Sequence, residues 1–250
     1  MVLRLVHFHA LAMVVAALAL SEMAAAGPQL TPHTAEYKVK ISLLSGRLDT
    51  ELRTTERGYR ATHRVQPTGL ARVVARGAIE EVSDFIVSDD GVLPIHYVSH
   101  DTLSGDVTHA EVDFDWANRS MVGVVNEAEV TAALETLVRD RVSIQYQLMH
   151  DLLRGGGNRQ YTYFDIDEFK TVNIRNIGTK EVRVPAGRFE AVGIQHQREN
   201  SSRVTTLWCV EALDYLPVII EQHRNGKRQL YATLREYTPT ARATDSATAH

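Results

Sequence analysis

The chain has 250 residues, of which 44% are hydrophobic and 23% charged, and its formal net charge is −4. That length suits one domain or two small ones with a substantial core, and the mildly acidic balance argues against general nucleic-acid binding, which needs basic surface. Cys209 is the one cysteine, which excludes an intramolecular disulfide.

Residues 1–26 read as a cleavable secretory signal peptide. Arg4 supplies the basic start, Ala10 to Leu20 the apolar stretch, and Ala24-Ala25-Ala26 the small side chains a signal peptidase needs, with cleavage between Ala26 and Gly27. A spanning helix needs about 20 apolar residues, and Ser21 and Glu22 end this stretch well short of that. No cysteine follows to carry a lipid, and no later segment is long and apolar enough to span a membrane. The expected product is a soluble, exported protein with a lead-in over 27–35, one β-rich domain over 36–237 and a disordered tail over 238–250.

Period-two alternation dominates that domain. Tyr37, Val39 and Ile41 alternate with Lys38 and Lys40, then Tyr59, Ala61, His63 and Val65 with Arg60, Thr62 and Arg64. Such spacing puts apolar groups on one sheet face. Glu56-Arg57-Gly58, Asp89-Asp90-Gly91 and Leu103 to Asp106 read as turns, and Gly69 to Arg76 as a short helix or an irregular crossover. Ala110, Val112, Phe114 and Trp116 form another alternating strand, and a helix could begin in Glu127 to Leu137. The principal helix is expected over about 140–154, with Asp140 as N-cap and Gly155-Gly156-Gly157 as its end. Pro185-Ala186-Gly187 and Asn225-Gly226 mark hairpins. Phe189 and Ala191 point opposite to Val192 and Ile194, so that strand is apolar on both faces. The pattern predicts a mainly β fold, a strongly curved antiparallel sheet or incomplete barrel with one helix packed on it, and a sandwich as the alternative.

Chemistry is harder to find. The chain lacks the Gly-x-Ser-x-Gly elbow, the His-Glu-x-x-His zinc motif, the phosphate loop and any cysteine-based metal site. No catalytic residue, metal ligand or cofactor is therefore assigned. Asp165-Ile166-Asp167-Glu168 has too few oxygen ligands for a calcium loop, and Asp113 and Asp115 read as an exposed strand face. The histidines show no ligand spacing, and Cys209, inside Leu207-Trp208-Cys209-Val210, reads as a buried structural thiol. Arg60 and Arg64 share one strand face, and arginine forks suit an anionic head group, although Asp49, Glu51 and Glu56 lie nearby.

Several segments together resemble a known family. Val184-Pro185-Ala186-Gly187-Arg188-Phe189 resembles its Pro-x-Gly hairpin, and Thr206-Leu207-Trp208 with Tyr215-Leu216-Pro217-Val218 its paired Leu-Trp and Leu-Pro-Val strands. Asp140-x-x-Ser143-x-Gln145-Tyr146 resembles its helix start, and Gly91-Val92-Leu93-Pro94 and Phe114-Asp115-Trp116 two earlier landmarks. In order and spacing these resemble the bacterial exported family called domain of unknown function 3108, over about residues 36–237. The resemblance implies a Gram-negative periplasmic setting and transfers no activity. The Leu-Trp and Leu-Pro pair is also similar to that of envelope lipoprotein carriers, whose half-barrel wraps a helix lid around acyl chains. The expected function is binding or carriage of a lipid-like or amphipathic envelope component. The alternatives are a structural or interaction protein without a small ligand and, third, an uncharacterised hydrolase.

Overall fold

The computed structural model describes residues 29–103, 105–156, 159–166 and 168–240. The export segment with its Ala26–Gly27 cleavage site, Gly157, Asp167 and residues 241–250 of the expected tail lie outside the described residues. The first half of the chain contains β1 (His33–Ile41), β2 (Leu44–Thr55), β3 (Gly58–Pro67), α1 (Ala71–Val74), β4 (Ile79–Ser88), β5 (Gly91–Asp101), β6 (Thr108–Asp115), β7 (Ser120–Val125) and β8 (Ala128–Ala133). The second contains β9 (Val138–Arg139), α2 (Ser143–Leu153), β10 (Gln160–Asp165), β11 (Glu168–Val184), β12 (Gly187–Gln197), β13 (Arg203–Val210), β14 (Leu216–Arg224) and β15 (Lys227–Pro239).

All fifteen strands of the described residues belong to one sheet, in the order β8-β7-β6-β5-β4-β3-β2-β1-β15-β14-β13-β12-β11-β10-β9. Two hairpin meanders therefore meet where β1 pairs with β15. β5 and β9 would lie about 50 Å apart if the sheet were flat, given the spacing between strands. They touch, and α2 packs on both. The sheet thus curls back on itself and brings β9 beside β5, leaving β8 and β9 unpaired with each other. It is a large open sheet rather than a closed barrel or a two-sheet sandwich.

Turn chemistry explains the meander. Asn225 and Gly226 both take positive φ, 51° and 72°, between β14 and β15, as a two-residue turn matched to strand twist requires. Asn126 and Glu127 do the same, with φ of 47° and 69°. That corrects the helix expected from Glu127: residues 128–133 form β8, paired with β7. A second difference is that β9 runs parallel to β10, with α2 as their crossover. β1 begins at His33 and β15 reaches Pro239, so both ends of the expected domain carry paired strand. Gly69 to Arg76 resolves into the single turn of α1. Among the described residues no helix is long and apolar enough to cross a membrane.

The core has two parts. The larger cluster includes Tyr37, Leu52, Phe85, Tyr97, Trp208 and Leu234, and the smaller Tyr161, Val172, Ile174, Ile194 and Cys209. Ala191 joins the first cluster and Ile194 the second, as the two-sided pattern of β12 implies. α2 wedges between them, with Val142, Tyr146 and Met149 on the larger cluster and Leu148 on the smaller. Burying a large apolar side chain contributes about 1.5–3 kcal/mol, so this double contact is what holds the helix against the curled sheet.

Candidate functional site: a trench beside the principal helix

The helix start is locked from both sides. The Asp140 carboxylate accepts the Val142 and Ser143 amides at 2.8 Å each, and Ser143 Oγ accepts the Asp140 amide at 2.9 Å. These bonds satisfy donors that a helix N-terminus leaves unpaired. The other carboxylate oxygen accepts the Ser83 hydroxyl at 2.6 Å, tying the helix to β4. Burial pushes the Asp140 carboxyl up to about 6, against those hydrogen bonds, which favour the charged form.

One turn later the buried Gln147 reaches β5. Its Oε1 accepts the Val92 amide at 2.7 Å and two Arg139 guanidinium N–H groups at 3.1 and 2.5 Å. Burial pulls Arg139 down to about 10. Near the helix end, Tyr161 on β10 donates its hydroxyl to Asp151. Burial alone would raise the Asp151 carboxyl, but the Tyr161 hydrogen bond, the neighbouring His150 and Gln147 side chains and the charge of Arg159 hold it below the usual carboxylate range. The helix is a fixed wall, joined by polar contacts to the strands on each side.

Between this wall and one face of β10–β14 runs an open trench of about 510 Å³. Its apolar part is formed by Ile144 and Leu148 from α2 and by Val172, Ile174, Leu207 and Ile220 from the sheet. These sheet residues sit at alternating positions, which puts them on one face. A second recess of about 470 Å³ shares Tyr163, Asp165, His196, Arg203, Thr205 and Gln222 with the first and continues it to a polar end at Lys170, Arg198 and Arg224.

The charges of the polar end are partly neutralised. Arg141 contacts Glu81 at 3.1 Å and Asp165 at 3.6 Å. Lys170 contacts Asp165, and Glu168 at 2.9 Å, while Arg198 lies 3.7 Å from Glu168. Arg203 and Arg224 form no ion pair with a described residue, yet they stand directly opposite in the β13–β14 register. Like charges so placed repel unless an anion lies between them. His196 lines the trench, and burial pulls its pKa down to about 4, so the ring is neutral at pH 7. Among the described residues no group of three His, Cys, Asp or Glu is placed to hold a metal. The trench is an apolar trough ending in hydrogen-bonding and cationic groups.

Residues 34–233 match the family described as protein of unknown function DUF3108. The chain belongs to this family. Among solved structures it is similar to a β-barrel-like protein of domain of unknown function DUF1849 from Brucella abortus, with a TM-score of 0.60 and 14% identity over 85% of this chain and 99% of that one. At that identity the likeness speaks for the fold alone. No curated protein matches the sequence.

Two of the DUF3108 landmarks meet each other, and a third anchors a core tyrosine. Trp116 Nε1 donates to the Pro94 carbonyl at 2.6 Å, joining the two earlier motifs, and Tyr37 donates its hydroxyl to the Pro217 carbonyl at 2.9 Å. The proposed head-group residues lie elsewhere. Arg60 forks onto Asp84 with two bonds of 2.5 Å and Arg64 meets Glu80 at 3.2 Å, on the face of β3 opposite the buried Tyr59 and Ala61, and neither lines the trench. Asp113 accepts a hydrogen bond from His96 at 2.7 Å, and Asp115 holds the next turn through Asn118. Cys209 is fully buried, and burial pushes its thiol up. Sequence reasoning missed Arg203 and Arg224. The Asn225-Gly226 turn places Arg224 at the end of β14 opposite Lys227, but the pairing with Arg203 belongs to the β13–β14 ladder, whose connection over 211–215 carries no such turn signal.

Proposed function

We propose that this DUF3108 protein is exported to the cell envelope and binds a lipid-like, amphipathic molecule in the trench. The supporting observation is the continuity of the trench, which leads from an apolar trough to an unneutralised arginine pair. Its 510 Å³ part falls in the size range of small-molecule sites, about 300–1,000 Å³. The export reading rests on the pattern of residues 1–26. The apolar tail would lie against Leu148 and Leu207, with the polar end near Arg203 and Arg224.

Native mass spectrometry of the protein purified from the periplasm should show a bound lipid-sized species, and a fluorescent fatty-acid analogue should displace it. L207E/I220E, on half-buried trench residues, should weaken the analogue at least tenfold, whereas R60Q/R64Q should not. Absence of any co-purified amphiphile together with no binding of the analogue would overturn the proposal.

A further inference from the structure

Six exposed apolar side chains gather at one rim of the sheet. Ile41, Leu43 and Leu44 form the β1–β2 turn, and Leu70, Val73 and Val74 flank or belong to α1. Leu43 is 98% exposed, Leu70 88%, and Val73 and Val74 73% each. Two hydrogen bonds hold this rim together. The Thr68 amide donates to the Ser45 carbonyl at 2.9 Å, and the Ser42 amide to the Gln229 carbonyl, at the start of β15, at 3.3 Å. Soluble surfaces rarely carry such an apolar cluster without a use for it.

The charge at the same rim runs against that of the chain. Segments 37–48, 66–79 and 223–234 hold eight Lys and Arg and no Asp or Glu, in a chain of net charge −4. At the overall frequency of 31 acidic residues in 250, stretches of this combined length would hold about five. Only Arg47 among the eight forms an ion pair with a described residue, through Glu36 and Asp49. Arg72 lies within α1 and Arg76 just beyond it, and Lys227 stands opposite Arg224 beside Arg228.

Protruding aliphatic side chains ringed by cations are what an anionic bilayer surface selects. The aliphatic groups enter the head-group boundary, and the cations meet phosphate from outside it. We infer that this rim docks the protein onto a lipid bilayer carrying anionic head groups. A protein partner would need a shaped apolar recess lined with carboxylates. A bilayer needs only apolar tips and unpaired cations, which is what the rim offers. The inference does not depend on the trench, although Arg224 belongs to both the rim and the polar end of the trench.

Sedimentation of the full mature chain with vesicles tests it. Vesicles of phosphatidylcholine with about a third phosphatidylglycerol should bind at low salt at least tenfold more tightly than phosphatidylcholine alone, and high salt should erase the difference. R72Q/R76Q should weaken binding about 25-fold, at about fivefold per charge. L43S/L70S/V73S should weaken it at least tenfold at unchanged melting temperature and unchanged fatty-acid analogue binding, which separates docking from both folding and the trench. Equal binding to the two vesicle types, or triple-variant binding equal to that of the unaltered chain, would overturn the inference, the second pointing to a protein partner for the tip.

Discussion

Burial holds His63 and His196 neutral, each with its pKa pulled down to about 4, in the case of His63 also by the neighbouring His33. In the unfolded chain each takes a proton near pH 6.5. Below that pH the unfolded state binds more protons than the native state, so stability is fully present above about 6.5 and is lost as pH falls toward 4, by on the order of 3 kcal/mol for each histidine. Asp140 acts in the opposite sense. Its carboxyl, raised to about 6, is protonated in the native state before it is in the unfolded chain, so it offsets part of the loss between 6 and 4. Two histidines outweigh one carboxyl, and urea unfolding midpoints should fall from pH 7 to pH 4.5. H63Q should show a shallower fall than the unaltered chain, and an equal fall would refute the assignment. The position of His63 was legible, since it shares parity with Tyr59 and Ala61. That of His196 was not, because nothing near it in sequence says that its face of β12 lines the trench beside α2.

At the scale of elements, the joint between α2 and β5 turns on Gly91. It closes the β4–β5 turn at φ +121°, and a Cβ there would lie 2.4 Å from Gln147 Oε1. G91A would displace that oxygen and leave the Val92 amide and the Arg139 guanidinium without their buried acceptor. Losing such a partner costs about 1–3 kcal/mol for the amide and more for the charge. G91A should therefore lower stability by about 3 kcal/mol or more in chemical denaturation. G105A, where an added Cβ meets nothing within 4 Å, should change it by less than about 0.5 kcal/mol. A small effect of G91A would show that the joint can relax. Local signals disclosed both ends of this joint, the Gly91 turn and the Asp140 cap. They could not disclose the contact, because Val92 and Gln147 are 55 residues apart. The opposite failure occurs at 128–133, where Ala and Glu suit a helix but edge pairing with β7 overrides that weak preference.

At the scale of the molecule, the hairpin turns made the meander legible, and the two-sided strands with one principal helix its strong curvature; that the curl brings α2 and β9 onto β5 was not legible, since β5 and β9 lie far apart in the sheet. One pairing stands apart from the local ones. β1 joins β15, so His33 faces Pro239, and the Thr240 amide donates to the Pro32 carbonyl at 2.8 Å. This pairing brings together the two ends of the described chain, while each remaining neighbour pair in the sheet is consecutive in sequence. Closing so long a loop is entropically costly, and folds dominated by such contacts fold slowly. The order of the sheet suggests a rearrangement that removes it. Linking residue 240 to residue 29 and opening the chain in the exposed 135–137 loop makes the strands run from β9 through β15 to β1 and on to β8, with every sheet neighbour also a sequence neighbour. The new ends fall at the two sheet edges, where no ladder is cut. The permutant should keep its melting temperature within a few degrees and refold severalfold faster by stopped-flow tryptophan fluorescence, because the slow central pairing becomes a hairpin. Refolding at the original rate would mean that the barrier lies in seating α2 between the two halves of the sheet rather than in joining β1 to β15.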